Sequence, residues 1–422
     1  MQSNATLTAE EMRVSAYLDA THPTVPSKVT RSTSLDSLNL NWAEKDLPEK
    51  ERTKHVHRLH PYLGKFIPQI VEIFLRKYFE PGQTVLDPFS GSGTTLVQAN
   101  ELGINSIGCD ISAFNILLGY AKTAPYNLDK VYQEVTDIIE KTRSKTKEAY
   151  NSTQLENCNL QLNLLNADRA KSSYLQSDSQ YLQQWFAPQA LHELITYRDL
   201  ITTEGYEYQA LLKIILSRSA RSARLTTHFD LDFPKQPQRE PYWCYKHSRE
   251  CRPTTEAFKF IKRYGFDTLK RVEEFATKRT CARVDLCHTD SREAMFPSIH
   301  GVITSPPYVG LIDYHEQHAY AYHLLDLEDK RVQEIGAASG GSSQKAKRQY
   351  QKDIAAVFQQ AAISLPTGGR MIVIAGDRAS LYPEIANLAG LEVEATVQRH
   401  VNRRTGRRSG EFYESVFVWR KP

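Results

Sequence analysis

Two short segments, far apart in the chain, carry residue types and spacings from which a chemical site can be built. The first is Asp87-Pro88-Phe89-Ser90-Gly91-Ser92-Gly93-Thr94-Thr95, set between the apolar strand pattern Thr84-Val85-Leu86 and a helical pattern through Leu96, Ala99 and Leu102. Its glycines let the backbone come close to a ligand and offer amide donors at a helix N-terminus, which suits an anionic or polar group. A phosphate-binding loop would need Gly-Lys-Ser/Thr, and no lysine is present, so nucleoside triphosphatase chemistry is disfavoured. The next strand pattern, Ser106 to Cys109, ends at Asp110, with Ile111 and Ser112 beyond it. An acid at the carboxyl end of the second strand is where doubly wound folds hold a ribose hydroxyl pair, although it can also cap the following helix. A dinucleotide and S-adenosylmethionine remain as ligands.

The second segment, Thr304-Ser305-Pro306-Pro307-Tyr308, follows the strand pattern Gly301 to Ile303. Consecutive prolines fix a rigid turn and remove two amide donors, leaving carbonyl oxygens as acceptors. A Ser305 hydroxyl, a Pro306 carbonyl and a Tyr308 ring together describe a pocket for a flat heterocycle bearing an amino group.

Together the two segments resemble motifs I and IV of the DNA amino-methyltransferases, and the Ser-Pro-Pro-Tyr form resembles the members that methylate the exocyclic N4 of cytosine. His60-Pro61-Tyr62-Leu63-Gly64-Lys65-Phe66-Ile67-Pro68 is similar to that family's motif X, and Cys287-His288-Thr289-Asp290-Ser291 to its motif III. The resemblance covers Leu59 to about Ser112 and Arg283 to Trp419. It implies an S-adenosyl-L-methionine cofactor, held by Lys65, Phe66, Pro68, Asp87 to Thr95, Asp110 to Ser112, Asp290 and Ser291. It also implies catalysis at Ser305, Pro306, Pro307 and Tyr308, and duplex DNA as substrate in a bacterial restriction-modification setting, with a restriction endonuclease as functional partner. Adenine N6 and RNA base methylation are the alternatives for the same site. Many cytosine N4 enzymes place the Ser-Pro-Pro motif ahead of the Gly-rich loop, whereas here the loop comes first.

The amino nitrogen of cytosine is a poor nucleophile until acceptors polarise its protons, after which in-line methyl transfer depends on orientation more than on a strong base. A target inside a duplex has to be flipped out, and Tyr308 offers a stacking surface. Cytosine C5 chemistry would need a covalent cysteine, usually following a proline, and none of the six cysteines follows one.

From Leu211 to Thr280 there are sixteen Lys or Arg against eight Asp or Glu, a local balance of +8 against +4 for the whole chain. Arg218, Arg221, Arg224, Arg239, Lys246, Arg249 and Arg252 are interleaved with His228, Tyr242, Trp243, Tyr245 and His247, a mixture suited to DNA contact. A second basic run, Arg399, Arg403, Arg404, Arg407 and Arg408, is expected to contact the DNA backbone. Cys244, His247 and Cys251 have metal-like spacing but make only three ligands, so a zinc site would need a fourth, such as Cys281 or His288. Asp313, Tyr314 and His315 are expected near the base pocket, with Asp313 also a helix cap, and His318 in packing.

The elements that must position these residues read as a βαβα series, interrupted from 127 to 280 by a mostly helical stretch with a loop-like centre at 227–253, then resumed. The expected fold is α/β, a Rossmann-like seven-strand methyltransferase sheet ending in an antiparallel hairpin. Its parts are an N-terminal arm (1–45), a cofactor-binding part (46–126), a helical basic insertion (127–280) and a catalytic part (281–422). Ala337 to Ser343 reads as a mobile loop. At 422 residues with 41% hydrophobic and 24% charged positions the chain can bury a large core. Its six irregularly spaced cysteines, lack of an apolar signal segment and short apolar runs point to the cytoplasm and away from a membrane.

Overall fold

The computed structural model describes residues 22–160, 179–231, 234–401 and 412–422, with 149–160 by backbone alone. Helix α1 (Pro68–Tyr78) precedes β1 (Thr84–Asp87), α2 (Thr94–Glu101), β2 (Asn105–Asp110) and α3 (Ala113–Thr123). The insertion supplies α4 (Leu128–Leu160), α5 (Gln180–Trp185), α6 (Pro188–Thr203), α7 (Gln209–Ala223), the strands β3 (Tyr242–Cys244) and β4 (Arg249–Cys251), and α8 (Phe258–Ala276). The remainder is β5 (Val284–His288), β6 (Gly301–Thr304), α9 (Ala319–Leu325), α10 (Gln344–Ile363), β7 (Arg370–Ala375), α11 (Tyr382–Leu388), β8 (Glu392–Val401) and β9 (Phe412–Arg420). No described helix is long and apolar enough to cross a membrane.

Seven strands form one sheet in the order β5-β2-β1-β6-β7-β9-β8. All neighbours from β5 to β7 are parallel, while β9 runs antiparallel to both β7 and β8. This is the expected Rossmann-like sheet with its terminal hairpin. The chain order reverses between β1 and β6, so the carboxyl ends of those two strands open a crevice, the usual ligand position of such sheets.

Period-two alternation divides the sheet's side chains between two cores. Val85, Ile303, Ile372 and Val418 face α1, and Leu86, Val302, Met371 and Trp419 face α10 and α11. Residues 22–47 extend along the first of these layers, burying Val29, Leu38, Leu40 and Trp42. A third core joins α3 and α9 to the inserted helices, through Phe114, Leu118, Ile138, Tyr197, Ile215 and Tyr320 among others. The insertion therefore shares its interior with α3 and α9 of the sheet domain. Its loop-like centre contains the β3/β4 hairpin, which the weak alternation of three-residue strands did not disclose.

Ala337 to Ser343, expected to be mobile, is largely exposed but is tied to the segment before it at one point. Ala338–Gly340 forms a short 3-10 turn, and both the amide and the hydroxyl of Ser339 donate to Asp313 Oδ1 at 3.2 Å. Small residues here allow close approach: a Cβ on Gly310 would lie 2.7 Å from the Gly341 carbonyl oxygen.

Candidate active site

The crevice is a cleft of about 780 Å³, open to solvent on one side, and both chemical segments border it. At the end of β2, Asp110 accepts hydrogen bonds from Gly91 N (2.7 Å) through Oδ2, and from Ser112 N (2.9 Å) and Asn115 Nδ2 (3.1 Å) through Oδ1. Burial pushes its carboxyl up, against those three donors. The cap of α3 is Ser112, whose hydroxyl accepts from Asn115 N, so Asp110 is released from that duty. A carboxylate oxygen has two lone pairs, and Asp110 lines the cleft with acceptor capacity to spare.

The Gly-rich loop is closed largely on itself. Ser90 N donates to Cys109 O, Gly93 N to Ser90 O and Gly91 N to Asp110, so these amides hold the turn in shape. Gly91 and Gly93 have φ of +47° and +74°, the left-handed region that glycine occupies without strain. From behind, the fully buried Lys122 donates to Ser92 O at 2.5 Å, and burial drives its ammonium well below the usual lysine range.

Asp87 stitches this loop to the second segment. Its Oδ1 accepts from Thr304 Oγ1 at 2.6 Å and from Phe89 N at 3.2 Å, while Thr95 Oγ1 donates to Ile303 O at 3.2 Å. Burial pushes the Asp87 carboxyl up to about 6, opposed mainly by the Thr304 hydrogen bond. Ser305 and Pro307 then face the cleft opposite Ser90, Gly91, Ser92 and Thr94. Tyr350 Oη, on α10, donates to Pro307 O at 2.8 Å and so holds the turn.

Of the expected cofactor residues, Lys65, Phe66, Pro88 to Ser92, Thr94, Asp110 to Ser112, Asp290 and Ser291 border the cleft. Pro68 begins α1 and does not, and Asp87, Gly93 and Thr95 support the loop from beneath. Asp290 is gripped by Arg292, which also reaches Asp353, and Ser291 Oγ donates to Pro88 O. Pro306 and Tyr308 lie off the cleft wall; Tyr308 Oη donates to Glu414 Oε1 at 3.3 Å.

Sequence reasoning missed one wall altogether. Gln333, Glu334 and Ile335 border the cleft, and Glu334 accepts from Tyr314 N at 2.7 Å and lies 2.9 Å from His315 Nδ1. Tyr314 and His315 do face the cleft as expected, and Tyr314 stacks on Tyr62 with centroids 5.7 Å apart. Asp313 holds the N-cap position of the short helix Tyr314–Gln317, but its carboxylate accepts from Ser339 and not from that helix. His318 packs on Phe114, and burial holds its imidazole down to about 3. Cys109 is equally inert, its thiol pushed by burial up to about 12.

The basic residues divide sharply. Arg218 is buried on Tyr264 and donates to Asp267 Oδ2 at 2.6 Å, and Arg224 is buried on Tyr320 and donates to Leu231 O. Arg399 is buried against Glu414 at 2.9 Å. These three hold the protein together and are withdrawn from the expected DNA surface, because sequence charge does not report burial. Arg221 is half-buried on α7, whereas Arg239, Lys246, Arg249 and Arg252 are exposed. Arg403, Arg404, Arg407 and Arg408 lie outside the described residues. His288 Nε2 is 3.0 Å from Ile111 O and is no partner of Cys244, nor does Cys281 join that group.

A DNA methylase family of the N6/N4 type matches residues 22–122. Type II methyltransferase M.MjaII of Methanocaldococcus jannaschii is 37% identical over 430 aligned positions, covering 88% of this chain and 81% of its own. Type II methyltransferase M.BsoBI of Geobacillus stearothermophilus is 23% identical, over 69% of this chain and 56% of its own. Type II methyltransferase M.MvaI of Kocuria varians is 33% identical over a shorter stretch, 21% of this chain and 20% of its own.

Proposed function

The chain belongs to the DNA amino-methyltransferase family, and from that premise we propose that it methylates the exocyclic N4 of cytosine in a specific duplex sequence. At the coarser level it is a type II DNA methyltransferase using S-adenosyl-L-methionine. The cleft suits that cofactor on its donor set: an acid at the end of β2 with free acceptor capacity, a buried Ser90 hydroxyl without a partner among the described residues, and apolar faces from Phe89, Ile111 and Ile335. Asp110 would hold the ribose hydroxyls, and Phe66, Lys65 and the Gly-rich loop the remainder. When bound, the cofactor supplies an electrophilic sulfonium methyl.

The observation that carries the proposal is the meeting of Ser305 and Asp110 on one cleft although they are 195 positions apart in sequence. Ser305, on the cleft wall, accepts a hydrogen bond from the target amino group, concentrating the nitrogen lone pair toward the methyl, and one amino proton leaves to solvent after transfer. Pro306, off that wall, is part of the rigid turn. Pro307 and Tyr350 keep that turn rigid, so orientation is set before the base arrives. The target base is flipped from the duplex to reach the cleft, and the exposed Arg239, Lys246, Arg249 and Arg252 provide phosphate contacts.

Nucleoside analysis of DNA treated with the protein and cofactor tests this directly. N4-methylcytosine is the expected product; N6-methyladenine alone would overturn the cytosine assignment while leaving the family intact. Ser305→Ala should lower turnover at least about a hundredfold, within the range for losing a transition-state hydrogen-bonding group, with cofactor affinity unchanged by calorimetry.

A further inference from the structure

The insertion holds a second constellation, remote from the cleft. His228, Cys244, His247 and Cys251 each turn a ligand atom inward, and all four atoms lie within 4.8 Å of one another. Cys244 Sγ is 3.5 Å from His228 Nδ1 and 3.5 Å from His247 Nδ1, and Cys251 Sγ is 3.5 Å from that same His247 nitrogen. We propose that these four residues bind a structural zinc ion.

The distances fit. With Zn–S near 2.3 Å and Zn–N of about 2.0–2.1 Å, a tetrahedron has S···N edges of about 3.5–3.6 Å. All three S···N separations match that edge, and one imidazole nitrogen equidistant from two sulfurs is the geometry of vertices around a shared centre. Two thiolates and two imidazoles form a closed set with no position left for water, as in structural rather than catalytic sites. Both cysteines are free and buried, whereas the imidazoles reach the centre from exposed positions.

Local structure explains why a metal is needed. The β3/β4 hairpin pairs only Tyr242 with Cys251, Trp243 with Glu250 and Cys244 with Arg249. A two-stranded ribbon of three residues per strand is not stable by itself in water. It presents Trp243 and Tyr245 to solvent, 56% and 79% exposed, beside Lys246 and Arg249. Zinc would tie its two strands to the His228 segment and fix the direction in which those side chains project. Ligation requires deprotonated sulfur, so two thiol protons leave to solvent as the ion binds.

The full-length protein, expressed with zinc and purified without chelator, should contain one zinc per chain by mass spectrometry. Replacement by Co²⁺ should give the visible d–d absorption of a tetrahedral site together with thiolate charge transfer. His228→Ala and Cys244→Ser should each lose the metal, and Cys281→Ser should retain it. Chelation should speed tryptic cleavage after Lys246 or Arg249 about tenfold, since opening of the ribbon governs access. No stoichiometric uptake of zinc or cobalt, a Cys244–Cys251 disulfide in the native protein, or full metal content in both ligand variants would overturn the site. If Cys244→Ser fails to fold, the cobalt spectrum of the unaltered protein decides. None of these measurements depends on the cleft, so they stand or fall separately from the methyltransferase reading.

Discussion

With its carboxyl pushed up to about 6 by burial, Asp87 binds a proton in the folded protein that the unfolded chain has released by about pH 4. Between those values the folded state holds more protons, so this contribution to stability is complete below about pH 4 and is lost as pH rises through 6. Asp87→Asn should remove that slope: the difference in denaturation free energy between the two proteins is expected to change from pH 4 to 7 and then level off. His318 acts in the opposite sense, its contribution present above the ordinary histidine range and lost as pH falls toward 3. A second expectation concerns Lys122, which supports the Gly-rich loop at the Ser92 carbonyl. Lys122→Met should weaken cofactor binding by up to about tenfold, the upper end for one net hydrogen bond, as read by calorimetry. Lys122 was invisible in sequence because its significance lies in burial, and a lysine near a helix end reads as solvated. Asp110 and Ser305 were legible because their places at strand ends are fixed by the fold.

At the scale of elements, the central parallel strands β1, β6 and β7 announced themselves: buried on both faces, they read as short apolar runs. The wall at Gln333 to Ile335 did not, because no periodicity marks it, and the Gly/Ser-rich Ala337 to Ser343 beyond it suggests mobility; Glu334 and Ser339 are held by hydrogen bonds to Tyr314, His315 and Asp313. Glu334→Ala should release that wall, giving faster amide hydrogen exchange in residues 310–343 and weaker cofactor binding, with far-ultraviolet dichroism unchanged. Equal exchange in the variant would show that packing of Ile335 and Tyr350 suffices. The zinc ligands show a similar limit: three lie within eight residues, but His228 precedes them by sixteen and is delivered by the turn after α7.

Across the whole molecule, the insertion is legible as helical and basic, yet its relation to the rest is set by interior contacts that charge counts conceal. Arg218 on α7 holds Asp267 on α8, and removing one partner of this part-buried pair destabilises by less than the roughly 3–5 kcal/mol of a fully buried one. Arg218→Met should therefore lower the thermal midpoint and leave the salt dependence of DNA binding unchanged, whereas Arg249→Ala should reduce that salt slope by about one. A changed slope for Arg218→Met would return that residue to the DNA surface.

The pairing of β1 with β6 joins Val85 to Gly301, and the neighbouring Thr84–His300 contact spans 216 residues. At about 5–20 residues per second, a ribosome takes roughly 10–40 s to make that interval. Through that time β1 has a nascent edge with unmet backbone donors and acceptors, a template for pairing with other chains. The third core ties α3 to helices made during the interval, so folding of the insertion can shelter the early half before its sheet partner exists. Deleting the insertion would consequently do more than remove the proposed DNA contact surface: it would leave β1 and β2 to wait for β6 without that shelter, and soluble yield during synthesis would fall before any loss of methyl transfer could be measured.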